Sequence, residues 1–168
     1  MQSLRNWTDP PLRWQTIDKF SRRVRPLEIY IENKTMYVLK LEEDFLETGE
    51  RIESVFKKEI DPGSGWLTFV ANKSPSLRLS VGGGLKYRLK EDCILYIGFK
   101  RPFAGEHLSF ACLSKVEHTA KWAYLEAQHG AFKSSEFGGC RATGEIVDVQ
   151  YNLFCHIRLQ FSQNLCYI

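Results

Sequence analysis

The period of the hydrophobic pattern changes once along the chain, and that change divides it. From Pro11 to Val24 the apolar residues Trp14, Ile17, Phe20 and Val24 step by three, three and four, while Gln15, Lys19, Arg22 and Arg23 take the other side. At helical spacing this is a single apolar stripe, so it predicts a short amphipathic helix. Pro11 suits a first helical position, and Pro26 pushes Arg25 toward extended backbone, so the helix stops there. The stripe fits either a helix docked on a core or one lying at a lipid interface.

After Pro26 the period is two. Leu27, Ile29 and Ile31 alternate with Glu28, Tyr30 and Glu32; Leu85, Tyr87 and Leu89 with Lys86, Arg88 and Lys90; Cys155, Ile157, Leu159 and Phe161 with His156, Arg158 and Gln160. These are predicted half-buried strands. Further strands are expected at Trp66–Ala71, Leu77–Val81, Cys93–Phe99, Leu108–Leu113 and Gly144–Phe154. The turn signals between them are Asp61-Pro62-Gly63-Ser64-Gly65, Lys73-Ser74-Pro75, Gly82-Gly83-Gly84 and Glu91-Asp92, the glycine run serving as a turn or bulge. Residues 42–60 fit a broken helix as well as strands around Gly49. One helix interrupts the series: Thr119 caps it, Ala120–Gln128 form it with Trp122 and Leu125 on one face, and Gly130 ends it. Many short strands with one inserted helix predict a mainly β chain, a sandwich or barrel.

Composition agrees with a folded domain: of 168 residues, 43% are hydrophobic and 26% charged, which excludes a mainly disordered chain. The longest apolar runs, such as Cys93–Ile97, are far short of the ~20 residues of a spanning helix. The net charge of +3 is unevenly placed. Residues 1–26 carry six basic side chains against Asp9 and Asp18, leaving 17 basic and 18 acidic residues on the rest. A basic arm on a nearly neutral body favours an anionic partner, a membrane surface or a nucleic acid. The outward Lys86, Arg88 and Lys90 would give a nucleic-acid reader a patch, but no RNA-binding aromatic motif or helix-turn-helix accompanies them, so nucleic acid is not the expected partner.

Little chemistry points to catalysis. The histidines His107, His118, His129 and His156 and the cysteines Cys93, Cys112, Cys140, Cys155 and Cys166 lie 11 or more apart within each set, so neither a metal site nor a disulfide framework is indicated. Reduced, buried thiols and no cofactor are expected. Ser54-Val55-Phe56-Lys57 matches S-x-x-K without the motifs that give it meaning, Gly82–Lys86 lacks phosphate-loop spacing, and no nucleophile elbow exists. The start of the chain has no apolar secretory core, so a soluble protein, cytoplasmic or released, is expected; the sequons Asn6-Trp7-Thr8 and Asn33-Lys34-Thr35 would matter only in the secretory pathway. The segment Phe99–Phe110, by contrast, turns at Pro102 between aromatics. Phe103 and Phe110 there are either core residues flanking a hairpin or rings offered to a lipid interface or a quaternary ammonium.

Together these features resemble the actinoporins, pore-forming cytolysins whose sandwich fold fungal fruit-body lectins share. Ile29-x-Ile31-x-Asn33-x-Thr35, following a helix and a basic pair, is similar to the family's first strand. Phe45-Leu46-Glu47-Thr48-Gly49 is similar to its aromatic-x-Ser-Gly step, with Thr48 for serine, and Ile97-Gly98-Phe99-Lys100-Arg101-Pro102-Phe103 to its Phe-Ser-Val-Pro-aromatic signature. The resemblance implies a mainly β, actinoporin-like β-sandwich flanked by two short α-helices, one N-terminal and amphipathic over the 1–26 arm and one near residues 119–129, with the sandwich domain over 27–168. It implies no catalysis, and binding of a membrane phospholipid of phosphocholine or sphingomyelin type by Thr48, Lys100, Pro102, Leu108, Trp122 and Tyr124. Phe103, His107 and Phe110 would meet the membrane; the first helix, with Trp14, Ile17, Lys19, Phe20, Arg22, Arg23 and Val24, would insert and line a pore in a homo-oligomer on the target cell membrane.

Departures fall on the lipid site. Lys100 stands where the family has serine and would repel choline. The tyrosine-rich stretch after Pro102 is reduced to His107, Leu108 and Phe110, and two further tyrosine positions fall on Glu126 and Ala127, with Tyr124 out of step. Residues 11–24 would span about 21 Å as a helix, short of a ~30 Å hydrocarbon core. The alternative expectation on the same fold is a lectin-like module that binds glycans without forming pores.

Overall fold

A computed structural model describes residues 27–47, 49–51, 56–72, 80–102, 108–129, 135–137, 140–148 and 155–163. The 1–26 arm, and with it every residue of the expected pore helix, lies outside them, as do Thr48, Phe103 and His107. The period-two segments are strands. In chain order they are β1 (Leu27–Lys34), β2 (Leu39–Leu46), β3 (Gly49–Arg51), β4 (Glu59–Ile60), β5 (Gly65–Asn72), β6 (Val81–Lys90), β7 (Cys93–Arg101), β8 (Leu108–Ser114), β9 (Ser135–Phe137), β10 (Cys140–Asp148) and β11 (Cys155–Gln163). They form two sheets, β3-β5-β1-β11-β10-β9 and β4-β2-β6-β7-β8. Parallel pairing of β1 with β11, Leu27 opposite Cys155 and Lys34 opposite Ser162, joins the two ends of the described chain in the first sheet.

The alternation sets the inner faces. Ile29, Ile31 and Val70 of the first sheet share one buried core with Leu39, Leu85, Tyr87, Leu95, Ile97, Phe99, Ala111 and Leu113 of the second, closed by Phe56 and Ile60. Each such side chain contributes roughly 1.5–3 kcal/mol by leaving water, which fixes the register, since a one-residue slip would expose the set. Phe99, expected at the end of a strand, lies in β7 and is in this core with no exposure, its ring 6.3 Å from that of Phe56. The segment 42–60 resolves as strand wherever it is described except at Glu47 and Phe56–Lys58.

A corner near the core explains one sequon. Asn33 has no exposed surface, its Nδ2 donates to the carbonyls of Tyr37 (2.7 Å) and Ile60 (2.9 Å), and its Oδ1 accepts from the backbone N–H (3.0 Å) and hydroxyl (2.7 Å) of Thr35. Asn33 and Thr35 therefore tie the end of β1 to the chain before β5, and the folded protein leaves no amide hydrogen for a glycan.

The helix α1 (Ala120–Gln128) forms where expected, with the Thr119 hydroxyl accepting from the Trp122 N–H at 3.1 Å. It covers the outer face of the second sheet, which is why seven consecutive residues of β7 are buried. The docking face is Ala120, Ala123, Tyr124 and Ala127 rather than the Trp122/Leu125 side; Leu125 is exposed.

That docking corrects the reading of Gly82-Gly83-Gly84 as a turn: the three glycines lie inside β6, paired with Lys100, Phe99 and Gly98 of β7. A Cβ on Gly84 would stand 1.9 Å from the Ala120 carbonyl oxygen, and one on Gly98 2.0 Å from that of Ala123. The glycines are there because helix backbone rests directly on strand backbone.

Candidate functional site

Two side-chain clusters occupy the outer face of the second sheet, one on each side of α1. On the β2/β6 side, register places Lys100 of β7 opposite Gly82 of β6 and Leu108 of β8. Because Gly82 has no side chain, Tyr124 drops from the helix into that space, and the Lys100 Nζ donates to its hydroxyl at 3.0 Å. Glu47, just past the end of β2, completes the group: its Oε2 is 3.6 Å from the Lys100 Nζ and accepts from the Ser80 hydroxyl at 3.2 Å, while its main-chain N–H donates to the Gly82 carbonyl. Burial, and then the hydrogen bond and charge of Glu47, push the Tyr124 phenol well above its ordinary range, so its hydroxyl keeps its proton. The arrangement is a lysine, a phenol and a carboxylate in contact, with the ion pair partly open: the side chains of Lys100 and Glu47 are 16% and 32% exposed.

Rings near this group are already engaged by the protein. Lys100 Nζ also lies 5.3 Å from the centre of the Tyr124 ring, Phe45 packs on Tyr124 at 5.4 Å, and Lys121 Nζ lies 5.8 Å over Phe45.

On the β8 side Trp122 meets Phe110 (5.6 Å, edge-on) and Tyr96 (5.1 Å, edge-on), and His118 stacks on it at 3.8 Å and 11°. The Tyr96 hydroxyl accepts from the His118 N–H at 2.7 Å and donates to the Val116 carbonyl at 2.8 Å, holding the segment that enters α1. Thus Lys100 and Tyr124 come together, with Leu108 beside Lys100 in register and Pro102 just past the end of β7, whereas Trp122 joins Phe110 instead. Tyr124 and Trp122 part because positions two apart on a helix point to nearly opposite sides. Phe110 and Leu108 are half-buried.

Glu47 and Ser80 were missed by sequence reasoning. Glu47 stands inside the quoted Phe45–Gly49 step, one residue before Thr48, and a carboxylate there beside a lysine in the second signature was the available signal.

The outward basic row of β6 is not a free patch. Glu42, the extra residue of a bulge between Leu41 and Glu43, meets Arg88 through both carboxylate oxygens and Lys86 at 3.5 Å; Glu117 meets both cations as well. Arg88 holds the Glu42 carboxyl below its usual range against the effect of burial, and Lys86 and Arg88 do the same for Glu117. Lys90 lies over the Tyr37 ring at 5.3 Å. The patch imagined for nucleic acid is therefore largely neutralised by carboxylates that come from elsewhere in the fold.

Among the described residues no cluster of three or more His, Cys, Asp or Glu could hold a metal ion, and no helix is long and apolar enough to cross a membrane. Cys93 is buried and Cys112 half-buried.

No protein-family model matches the chain, and no curated protein matches it in sequence. Among solved structures it is similar to the crystal structure of the lipid binding protein Nakanori, with a TM-score of 0.75 at 12% identity over 91% of this chain and 78% of that one. The fold is an actinoporin-like β-sandwich. At that identity the likeness concerns the fold, and the ligand must be argued from this chain's own residues.

Proposed function

We propose that this sandwich is a non-catalytic protein that binds membrane phospholipid, with the phosphate of the head group received by Lys100. The observation that carries the reading is the Lys100 ammonium held by the Tyr124 hydroxyl at the rim where β7 runs out at Pro102. An ammonium and a phenolic O–H side by side can both donate to a phosphate oxygen, and charge-assisted bonds of this kind are about twice as strong as neutral ones. That a lipid binding protein is built on the same fold supports the choice of ligand. A lectin-like role has less behind it, because sugar rings stack on open aromatic faces and His118 already covers one face of Trp122.

The finer reading adds pore formation. Its support is the pattern of residues 11–24 and the concentration of positive charge in residues 1–26, which suit a helix lying on anionic lipid before it inserts with others of its kind. Flotation with phospholipid vesicles tests the first part: the full chain floats and Lys100→Glu floats at least tenfold less. Failure to float with vesicles of any head group would overturn it. Dye release tests the second, with Trp14→Ser/Phe20→Ser expected to bind vesicles yet release nothing; equal release by that variant would refute insertion of the arm.

A further inference from the structure

Building on the phospholipid reading, we propose that the site selects a zwitterionic head group bearing a primary ammonium, of the phosphoethanolamine type, over phosphocholine, with Glu47 as the specificity-determining residue.

The site's charges come as a pair. Lys100 and Glu47 stand 3.6 Å apart, so the cluster is neutral before a ligand arrives. A phosphate alone would satisfy Lys100 but leave a second negative group beside Glu47. A zwitterion answers both, its phosphate on the ammonium of Lys100 and its own cation on the carboxylate of Glu47. Both side chains are partly exposed and long enough to swing apart, and the Ser80 hydroxyl donates to the same carboxylate oxygen at 3.2 Å.

What kind of cation follows from the neighbours. A quaternary ammonium has no N–H, and its usual partner is the face of an aromatic ring. Here Tyr124 already has the Lys100 ammonium over its ring, Phe45 has that of Lys121, and Trp122 is stacked with His118. Glu47, by contrast, is a hydrogen-bond acceptor, now serving the hydroxyls of Ser80 and Tyr124 and paired in charge with Lys100 at 3.6 Å. A primary ammonium brings three N–H groups and can take over the place of Lys100 on that carboxylate; trimethylation removes them all. One charge-assisted hydrogen bond gained or lost corresponds to at least about tenfold in affinity.

The experiment is quantitative binding to vesicles that share a neutral background and carry, at equal mole fraction, phosphatidylethanolamine, its N-methyl and N,N-dimethyl forms, phosphatidylcholine or phosphatidylglycerol. Binding is expected to hold while N–H groups remain and to fall at least tenfold at phosphatidylcholine, with phosphatidylglycerol also weak. Glu47→Gln, which keeps the size of the side chain and an acceptor for Ser80, should flatten the series, its fold checked by near-ultraviolet circular dichroism. Free phosphoethanolamine should compete where phosphocholine and inorganic phosphate do not, which separates recognition of the head group from recognition of phosphate alone. A series that rises toward phosphatidylcholine, a preference for phosphatidylglycerol, or a series unchanged in Glu47→Gln overturns the proposal while phospholipid binding stands. Absence of binding to every vesicle overturns the phospholipid reading and this proposal with it.

Discussion

Replacing Gly98 by alanine is expected to be among the most damaging single-methyl additions to this protein. The new Cβ would lie 2.0 Å from the Ala123 carbonyl oxygen, 2.6 Å from its carbon and 3.0 Å from the Ala127 Cβ. The first two obstacles are helix backbone, so no rotamer change relieves them; β7 and α1 must separate by about 1 Å or more, a gap that forfeits about half or more of each dispersion contact it opens. The contacts at stake are those of Ala120, Ala123, Tyr124 and Ala127. Overpacking of this kind costs ~1–3 kcal/mol, and a backbone obstacle places Gly98→Ala near ~3 kcal/mol. At a urea slope of about 2 kcal/mol/M that lowers the midpoint by about 1.5 M. Urea unfolding followed by near-ultraviolet circular dichroism measures it, with Gly63→Ala as the control. Gly63 has open space around its Cβ position but a φ of +73°, so its substitution costs only the left-handed conformation, ~1–2 kcal/mol. If Gly98→Ala loses less than about 0.5 kcal/mol, or no more than Gly63→Ala, the helix does not rest on the strand as described.

Three other changes probe separate parts of the fold. Asn33→Ala leaves the Ile60 carbonyl and the Thr35 N–H without their partner, while the Tyr37 carbonyl keeps the Thr35 hydroxyl, and should cost about 3 kcal/mol in the same assay, since each unsatisfied buried group costs ~1–3 kcal/mol; expression through a secretory pathway should give folded protein with no glycan mass at Asn33. Thr119→Ala removes the cap of α1 and should cost about 1 kcal/mol. Glu42 and Glu117 are held below the usual carboxylate range in the folded state, so the stability they confer is fully present above the unfolded value of about 4.3 and is lost as pH falls through the lower folded values. Melting temperature should therefore decline from about pH 4.3 downward, and more shallowly in Glu117→Gln; identical profiles for the two proteins would remove the network from the account.

The strands were legible because alternation is a one-dimensional signal: Ile29/Ile31 and Leu85/Tyr87/Leu89 each point to the core by parity alone, whereas in β7, buried on both faces, the continuous apolar run marks a strand without saying which side meets the core. The cap at Thr119 and the helix limits were legible for the same local reason. The glycine run was misread because a turn and a docking surface use glycine for one property, the missing Cβ, and only the position of α1 in space tells them apart. The basic row of β6 was correctly placed on an outer face, yet its meaning depended on Glu42 and Glu117, which reach it from a bulge 46 residues away and a loop 29 residues away in sequence from Arg88. Glu47 escaped notice for a similar reason, being 53 residues from its partner Lys100.

These long-range pairings bear on what the resemblance could carry. Lys100 in place of a serine looked like damage to a choline site when considered by itself. Beside Tyr124 and Glu47 it belongs to a different arrangement, in which the protein's own cation sits over the ring and hydrogen-bonds its hydroxyl. The same glycines that bring α1 down onto the sheet put Tyr124 within reach of Lys100: Gly82 opens the space for the ring, and Gly84 and Gly98 set the height of the helix. On the proposed reading, helix docking and head-group binding are thus coupled through Tyr124. It follows that Gly98→Ala, by lifting α1, should weaken vesicle binding about as much as removing the Tyr124 hydroxyl does in Tyr124→Phe, whereas Thr119→Ala, which loosens the helix end without changing its height, should leave binding intact while lowering stability.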